Sequence, residues 1–437
     1  MHDVHSKIEY DEIRDPNDFL SEQFKIHSEI FNLPMKEDYI ELSSGVNFLP
    51  IPVIWRETMK KEIDEGFLYQ QYTSLYGFQT VKYAVKLYER FLYSQGDIFL
   101  KADLDICMTV GASQAADLAL AYLQSIGRKR ILLVGMTYPL YVTLGKCYGF
   151  EIRESRSALQ GRDIPTVEEL VHDIEKYESD VIVFSYPSNP SGERYTDDEL
   201  DRIMGMLRVK RLHCIFDCVC NIIMSEDKVI VPEAHILEHK MQENCIIVNS
   251  LSKTEGVPGL RIGYLAGDYD LMQFIRLKQV AIMNPPNIPA IAVWFTMLFR
   301  CLHMSEQFGQ SEKEQLRIIR CYKKMFFATT PLCSREIRSY VKKLTEERLV
   351  KEYLKYKEER VSQERVFHIN KTYLEERLDP FIEDMTQMDA GFNYLIKLRP
   401  CHNISELDFC REVLEKTRIA VFTESGFTIK DVEKDNY

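Results

Sequence analysis

The chain has no excess of positive charge: 55 Lys and Arg stand against 67 Asp and Glu, a formal net charge of −12. A sequence-independent nucleic-acid surface needs a basic patch, so this charge argues against one, no nucleic-acid partner is expected, and any anion must be met by a local cluster. Long apolar runs are missing too, and the opening MHDVHSKIEYDEIRD is mixed and acidic rather than a leader. The expectation is a cytoplasmic protein with no membrane partner. Regular cysteine spacing is lacking: the 11 cysteines are odd in number and scattered, which reads as free thiols in a reducing compartment. Cys218 and Cys220 have no second pair at zinc spacing, so no metal is expected. No internal repeat or low-complexity linker interrupts the chain, and 437 residues at 45% hydrophobic content suffice for two domains with their own cores.

What is present begins with residues 250–264, SLSKTEGVPGLRIGY. The apolar CIIVN before Ser250 reads as a buried strand, and RIGYLAG as a second one. Between them Lys253 offers a primary amine that can condense with an aldehyde. Ser250, Ser252 and Arg261 offer hydroxyls and a planar fork of N–H groups suited to a phosphate. That combination suits pyridoxal 5′-phosphate (PLP), although S-x-S-K alone also describes an ordinary loop. Further upstream, VIVFSYPSNPSG is a strand running into a turn that leaves Asn189 at a strand's carboxyl end, where open α/β sheets bind ligands. HCIFDCVCN is a short strand ending in Asp217, whose carboxylate can keep a pyridine nitrogen protonated. ICMTVGASQAADLAL reads as strand, glycine turn and a helix starting near Ser113; the backbone of Ala112 and Gln114 and the Ser113 hydroxyl can face a phosphate there. ILLVGMTYPLY brings Tyr138 to a strand exit, where its ring can stack on a flat ligand. Taken singly, each has a plainer reading: turn chemistry, a solvated aspartate, an N-cap serine, a packed tyrosine.

With these motifs in this order, the chain resembles the fold-type I PLP enzymes of the aminotransferase class I/II group, over roughly residues 40–437. The resemblance implies that Lys253 holds the cofactor as a Schiff base and that Asp217 faces its ring nitrogen. Asn189 would bond the ring oxygen and Tyr138 would stack. Ala112, Ser113, Gln114, Ser250, Ser252 and Arg261 would bind phosphate. It also implies a homodimer with shared active sites, since QQYTSLYGFQ matches a family segment in which Tyr72 reaches the neighbouring subunit's phosphate. Gly45, in ELSSGVNFLPIP, matches a glycine beside the substrate carboxylate, a site in which Asn189 also takes part.

Two departures stand out. Where the family has a tyrosine three residues after the aspartate, as second donor to the ring oxygen, this chain has Cys220, and a thiol is a weak donor. The family's carboxylate-binding arginine belongs just past AVFTESGFTIKDVEKDNY, where this sequence ends. The implied function is a PLP enzyme acting at the α-carbon of an amino acid, an aminotransferase giving a keto acid. A lyase, cyclase or oxidase of the same fold is the alternative, made more credible by Cys220. A non-catalytic PLP-binding regulator is a third reading; the roughly 40 residues ahead of the domain are acidic on balance and short for a DNA-binding module.

The expected fold class is α/β, a mostly parallel doubly wound sheet in a large PLP-binding domain plus a smaller α+β domain. Residues 1–64 form an N-terminal arm and small-domain segment, 65–300 the large domain and 301–437 the small domain, with FNYLIKL and RIAVFT as strands of the latter. Residues 335–377 read as a charged helical insertion with a weak amphipathic stripe.

Overall fold

The computed structural model describes residues 16–31, 40–43, 45–65, 72–99, 104–221, 230–281, 287–330, 335–399 and 404–429. Seven strands make the central sheet: β1 (Asp105–Val110), β2 (Arg130–Val134), β3 (Glu151–Ser155), β4 (Val181–Ser185), β5 (His213–Asp217), β6 (Cys245–Ser250) and β7 (Ile262–Gly267). Their spatial order is β1-β7-β6-β5-β4-β2-β3. Only β7 runs antiparallel to its neighbours; the remaining pairings are parallel. Every residue of β6 and β7 is buried, as expected of strands covered by helices on both faces. The crossover helices Val167–Lys176 and Asp197–Lys210 start at capping boxes, in which Thr166 and Thr196 accept the N–H of Glu169 and Glu199 at 3.2 Å.

This topology creates one functional edge. The carboxyl ends of β1, β5 and β6 share it, and because β7 is reversed its entry, with Arg261 just ahead, lies there too. The register pairs Val110 with Ile262, and Ser250 with Gly263. Gly263 is required by close approach: a methyl group on it would lie 2.2 Å from the Gly111 carbonyl carbon.

Helix Ala290–Gln307 is buried without a break from Ala290 to Ser305, so it forms the centre of the core rather than a surface layer. It passes through position 300, so the expected large-domain limit falls inside a helix. Phe19, Ile26, Leu407, Leu414 and Ala420 form a separate apolar cluster in the smaller part. There Ile40–Glu41 pairs in parallel with Ile419–Ala420, and Ile382–Met385 pairs antiparallel with Ile396–Leu398. The expected strands in FNYLIKL and RIAVFT are therefore real but shorter than read. Residues 430–437, the end of the stretch AVFTESGFTIKDVEKDNY, lie outside the described residues.

The expected charged helical stretch is helical but divided. Two helices, Arg335–Lys343 and Glu346–Leu378, meet at Leu344 and Thr345, where the Thr345 hydroxyl accepts the Arg348 N–H at 3.2 Å. Leu349, Tyr353, Tyr356 and Arg360 recur on one face of the second helix and are buried against the body. Among the described residues no helix is long and apolar enough to cross a membrane.

Candidate active site

Lys253 leaves β6 on a turn that returns to β7, and its Nζ donates to the Gly45 carbonyl at 2.7 Å. Burial lowers its pKa, and the Arg261 guanidinium lowers it further, while Cys220 acts the other way. An amine shifted in this direction is neutral more often, which is the form that acts as nucleophile or base. Asn47 holds the loop from the other side, its Nδ2 donating to the Lys253 carbonyl at 3.1 Å.

Asp217 ends β5. It is not the solvated strand-end aspartate of the plainer reading: its Oδ1 accepts the Val219 N–H at 3.2 Å and its Oδ2 the Tyr141 hydroxyl at 2.9 Å. Burial raises its pKa to about 6, against the pull of those two donors. Cys220 lies close enough to feel both Lys253 and Asp217, and burial pushes its thiol up to about 11. It is therefore a protonated thiol at neutral pH.

The anion cradle is built from β1, the helix after it and the entry to β7. Helix Gly111–Ser125 starts two residues before the expected Ser113. At this start the Gln114 side-chain oxygen turns back to accept the Val110 N–H at 2.8 Å. Gly111 N–H is bound to the Arg261 carbonyl at 3.0 Å. The N–H groups of Ala112 and Ser113 in the first turn are then the ones left for a ligand. Arg261 stands over this turn: a methyl group on Gly111 would lie 2.5 Å from its Nη2. Ser250 and Ser252 are buried beside it, and the Ser250 hydroxyl accepts the Ser252 N–H at 3.2 Å.

Asn189 lies in the turn after β4, and its Oδ1 accepts from Asn393 Nδ2 at 3.1 Å. Tyr138, in the turn after β2, is 46% exposed and so keeps a ring face open. Tyr72 is 97% exposed and is not brought to this cluster within its own chain. Tyr141, Asn393 and Asn47 escaped the sequence reading. Tyr141 follows Tyr138 by three residues in TYPLY, and Asn393 is a polar residue inside the apolar GFNYLIKL, so both left a signal.

These groups fit PLP. They place an amine, a buried carboxylate, an amide and an arginine-topped helix start along one sheet edge, where a methyl group on Gly111 would fill the cradle. The cluster at Asp201, His235 and Glu238 is the only grouping with metal-ligand character among the described residues, and it lies on other helices.

The model of the family described as aminotransferase class I and II matches residues 37–433. The chain is 28% identical over 239 residues to a probable N-acetyl-LL-diaminopimelate aminotransferase of Bacillus subtilis, covering 55% of this chain and 58% of that protein. It is also 28% identical over 257 residues to a probable aspartate aminotransferase of Methanocaldococcus jannaschii, covering 57% and 62%. The matches thus span about three fifths of these relatives. In fold it is similar to an alanine aminotransferase from Pyrococcus furiosus, with a TM-score of 0.62 at 19% identity over 94% of this chain and 88% of that one. An N-succinyldiaminopimelate aminotransferase from Mycobacterium tuberculosis gives 0.63 at 16% identity, covering 95% and 89%.

Proposed function

Given that the chain belongs to the aminotransferase class I and II family, we propose that it is a PLP-dependent aminotransferase converting an amino acid to its keto acid. The observation that carries this reading is the convergence of the Lys253 amine, the Tyr141-bound Asp217 carboxylate and the Arg261-topped helix start on one sheet edge. When bound there, PLP supplies an electron sink for negative charge at the substrate's α-carbon. Ala112 and Ser113 N–H groups, Ser250, Ser252 and Arg261 hold the phosphate, and Tyr138 covers the ring. Asp217 keeps a proton on the ring nitrogen by presenting a carboxylate to it. Lys253 Nζ, its pKa lowered by burial, would take the α-proton, hold it, and from the same face pass it on to the cofactor carbon that carries the amino group. A panel of amino acids assayed for keto acid, ammonia and hydrogen peroxide tests reaction and substrate class together. Keto acid formed only with a keto-acid acceptor supports transamination, and ammonia or peroxide without one overturns it.

Cys220 favours one second reading, a lyase, cyclase or oxidase of the same fold. Its protonated thiol is a weak donor where a phenol would be a strong one. Cys220→Tyr is expected to lower the pH at which the bound cofactor's visible absorption changes and to shift products towards keto acid. Unchanged absorption and products would leave plain transamination as the better account.

Asp217 gives a pH prediction with a definite sign. Its pKa near 6 means that acid neutralises the carboxylate, so cofactor affinity should fall as pH drops through about 6. Tyr141→Phe removes a donor that favours the charged form, so the fall should begin at higher pH. Fluorescence titration of apoprotein with PLP across pH 5–8 measures it, and superimposable profiles would contradict it.

A homodimer with shared sites completes the proposal. Tyr72 is almost fully exposed in its own chain, which supports a role for it in a neighbour's site. Mixed Tyr72→Phe and Lys253→Ala subunits should regain activity, since one hybrid site carries both intact groups. Full activity of a demonstrated monomer would refute sharing.

A further inference from the structure

Asn393 stands in the segment between the two small-domain strands, 204 residues from Asn189 in sequence, yet its Nδ2 donates to the Asn189 Oδ1 at 3.1 Å. The contact rests on a laced seam. Gly192 O accepts the N–H groups of Asp389 and Ala390, each at 3.0 Å. The Thr386 hydroxyl donates to the Ser191 carbonyl at 2.9 Å, and the Arg194 N–H to Asp389 Oδ2 at 3.1 Å. A methyl group on Gly192 would come within 2.4 Å of the Asn393 carbonyl oxygen, so the two backbones lie in direct contact. Asn393 also borders the reactive space: a methyl group on Gly45 would be 3.9 Å from its Oδ1, its Nδ2 and the Lys253 Nζ alike.

An asparagine side chain has two ends of opposite character. Whichever end a neighbour takes decides which end is left for a ligand. By giving an N–H to the Asn189 oxygen, Asn393 turns the Asn189 NH2 away from itself. Resting on the PLP reading above, we propose that Asn393 is a positioning residue that fixes the amide of Asn189 with its NH2 towards the cofactor's ring oxygen. The need for such a lock follows from Cys220. With a thiol in place of a phenol, Asn189 would be the remaining strong neutral donor to that oxygen among the described residues assigned to it, and a flipped amide would oppose its charge with a carbonyl dipole. Donation to the oxygen stabilises its anionic form and makes the adjacent nitrogen less basic.

The test is a double-mutant cycle read by pH titration of the holoenzyme's visible absorption. Asn393→Leu should raise the midpoint by about one pH unit. Asn189→Leu should raise it by a similar amount. Asn393→Leu added to Asn189→Leu should raise it no further, because the first residue acts through the second. Asn393→Ser, which keeps a donor of smaller size, should restore part of the parent midpoint and guards against a packing effect of leucine. Additive shifts, or a parent-like midpoint in Asn393→Leu with the cofactor still bound, would overturn the assignment. A parent protein that binds PLP with no lysine-dependent visible band would overturn the underlying site reading instead, so the two failures are distinguishable.

Discussion

Lys253→Ala is expected to lose turnover by at least about 10²–10⁴-fold, the contribution of one positioned general base. The lysine-dependent visible band and any borohydride-trappable link to PLP should vanish with it. The physical argument predicts that the fold survives. Burial lowers the Lys253 pKa, so the native state binds its proton less well than the unfolded chain does, and below that native pKa the group costs stability. Stability from this residue therefore rises with pH, and removing it relieves the cost at neutral pH at the loss of one hydrogen bond to Gly45. The apoprotein should melt close to the parent. A covalent PLP adduct persisting in Lys253→Ala would assign the amine elsewhere. A collapsed melting point would show that lost turnover reflects unfolding.

The reactive groups were legible because each is written into a local pattern. A strand that ends in Asp217, or a strand pair that flanks Lys253, is visible as a short continuous apolar run bounded by polar residues, and the mostly parallel sheet then brings the strand ends together without further instruction. The partners of those groups were not legible in the same way. Tyr141 meets Asp217 across 76 residues and Asn393 meets Asn189 across 204, and nothing local specifies either meeting. Element limits failed for a similar reason. Helix Gly111–Ser125 starts two residues before the expected position, within the ordinary spread of helix ends, and a glutamine side chain reaches back to Val110 there, a contact that propensity does not encode. The charged helix divides the same way. Its weak amphipathic stripe was legible, but what the stripe packs on was not: Tyr353, Tyr356 and Arg360 are buried, and Arg360 lies against the loop that carries Lys253.

That last contact carries the second large effect. Glu255, two residues after Lys253, is buried; its Oε1 accepts Arg300 Nη2 at 2.7 Å and the Tyr356 hydroxyl at 2.7 Å. Arg360 Nη1 donates to the Thr254 carbonyl at 2.8 Å and stands 3.8 Å from Glu255 Oε2. One carboxylate thus serves two buried guanidinium groups from two helices, Ala290–Gln307 and Glu346–Leu378. Glu255→Leu removes the carboxylate bonded to Arg300 and nearest by contact to Arg360, and is expected to cost about 3–5 kcal/mol, the usual loss when one partner of a buried ion pair is removed. Because the strain falls on the Lys253 turn, melting temperature and PLP affinity should drop together. Arg300→Met combined with Glu255→Leu removes one unpaired charge along with its partner and should recover part of the loss, since apolar replacement of a whole buried pair is often neutral. Calorimetry and PLP titration of the three proteins measure this. If Glu255→Leu melts with the parent, the cluster is not what holds the lysine loop to the long helix.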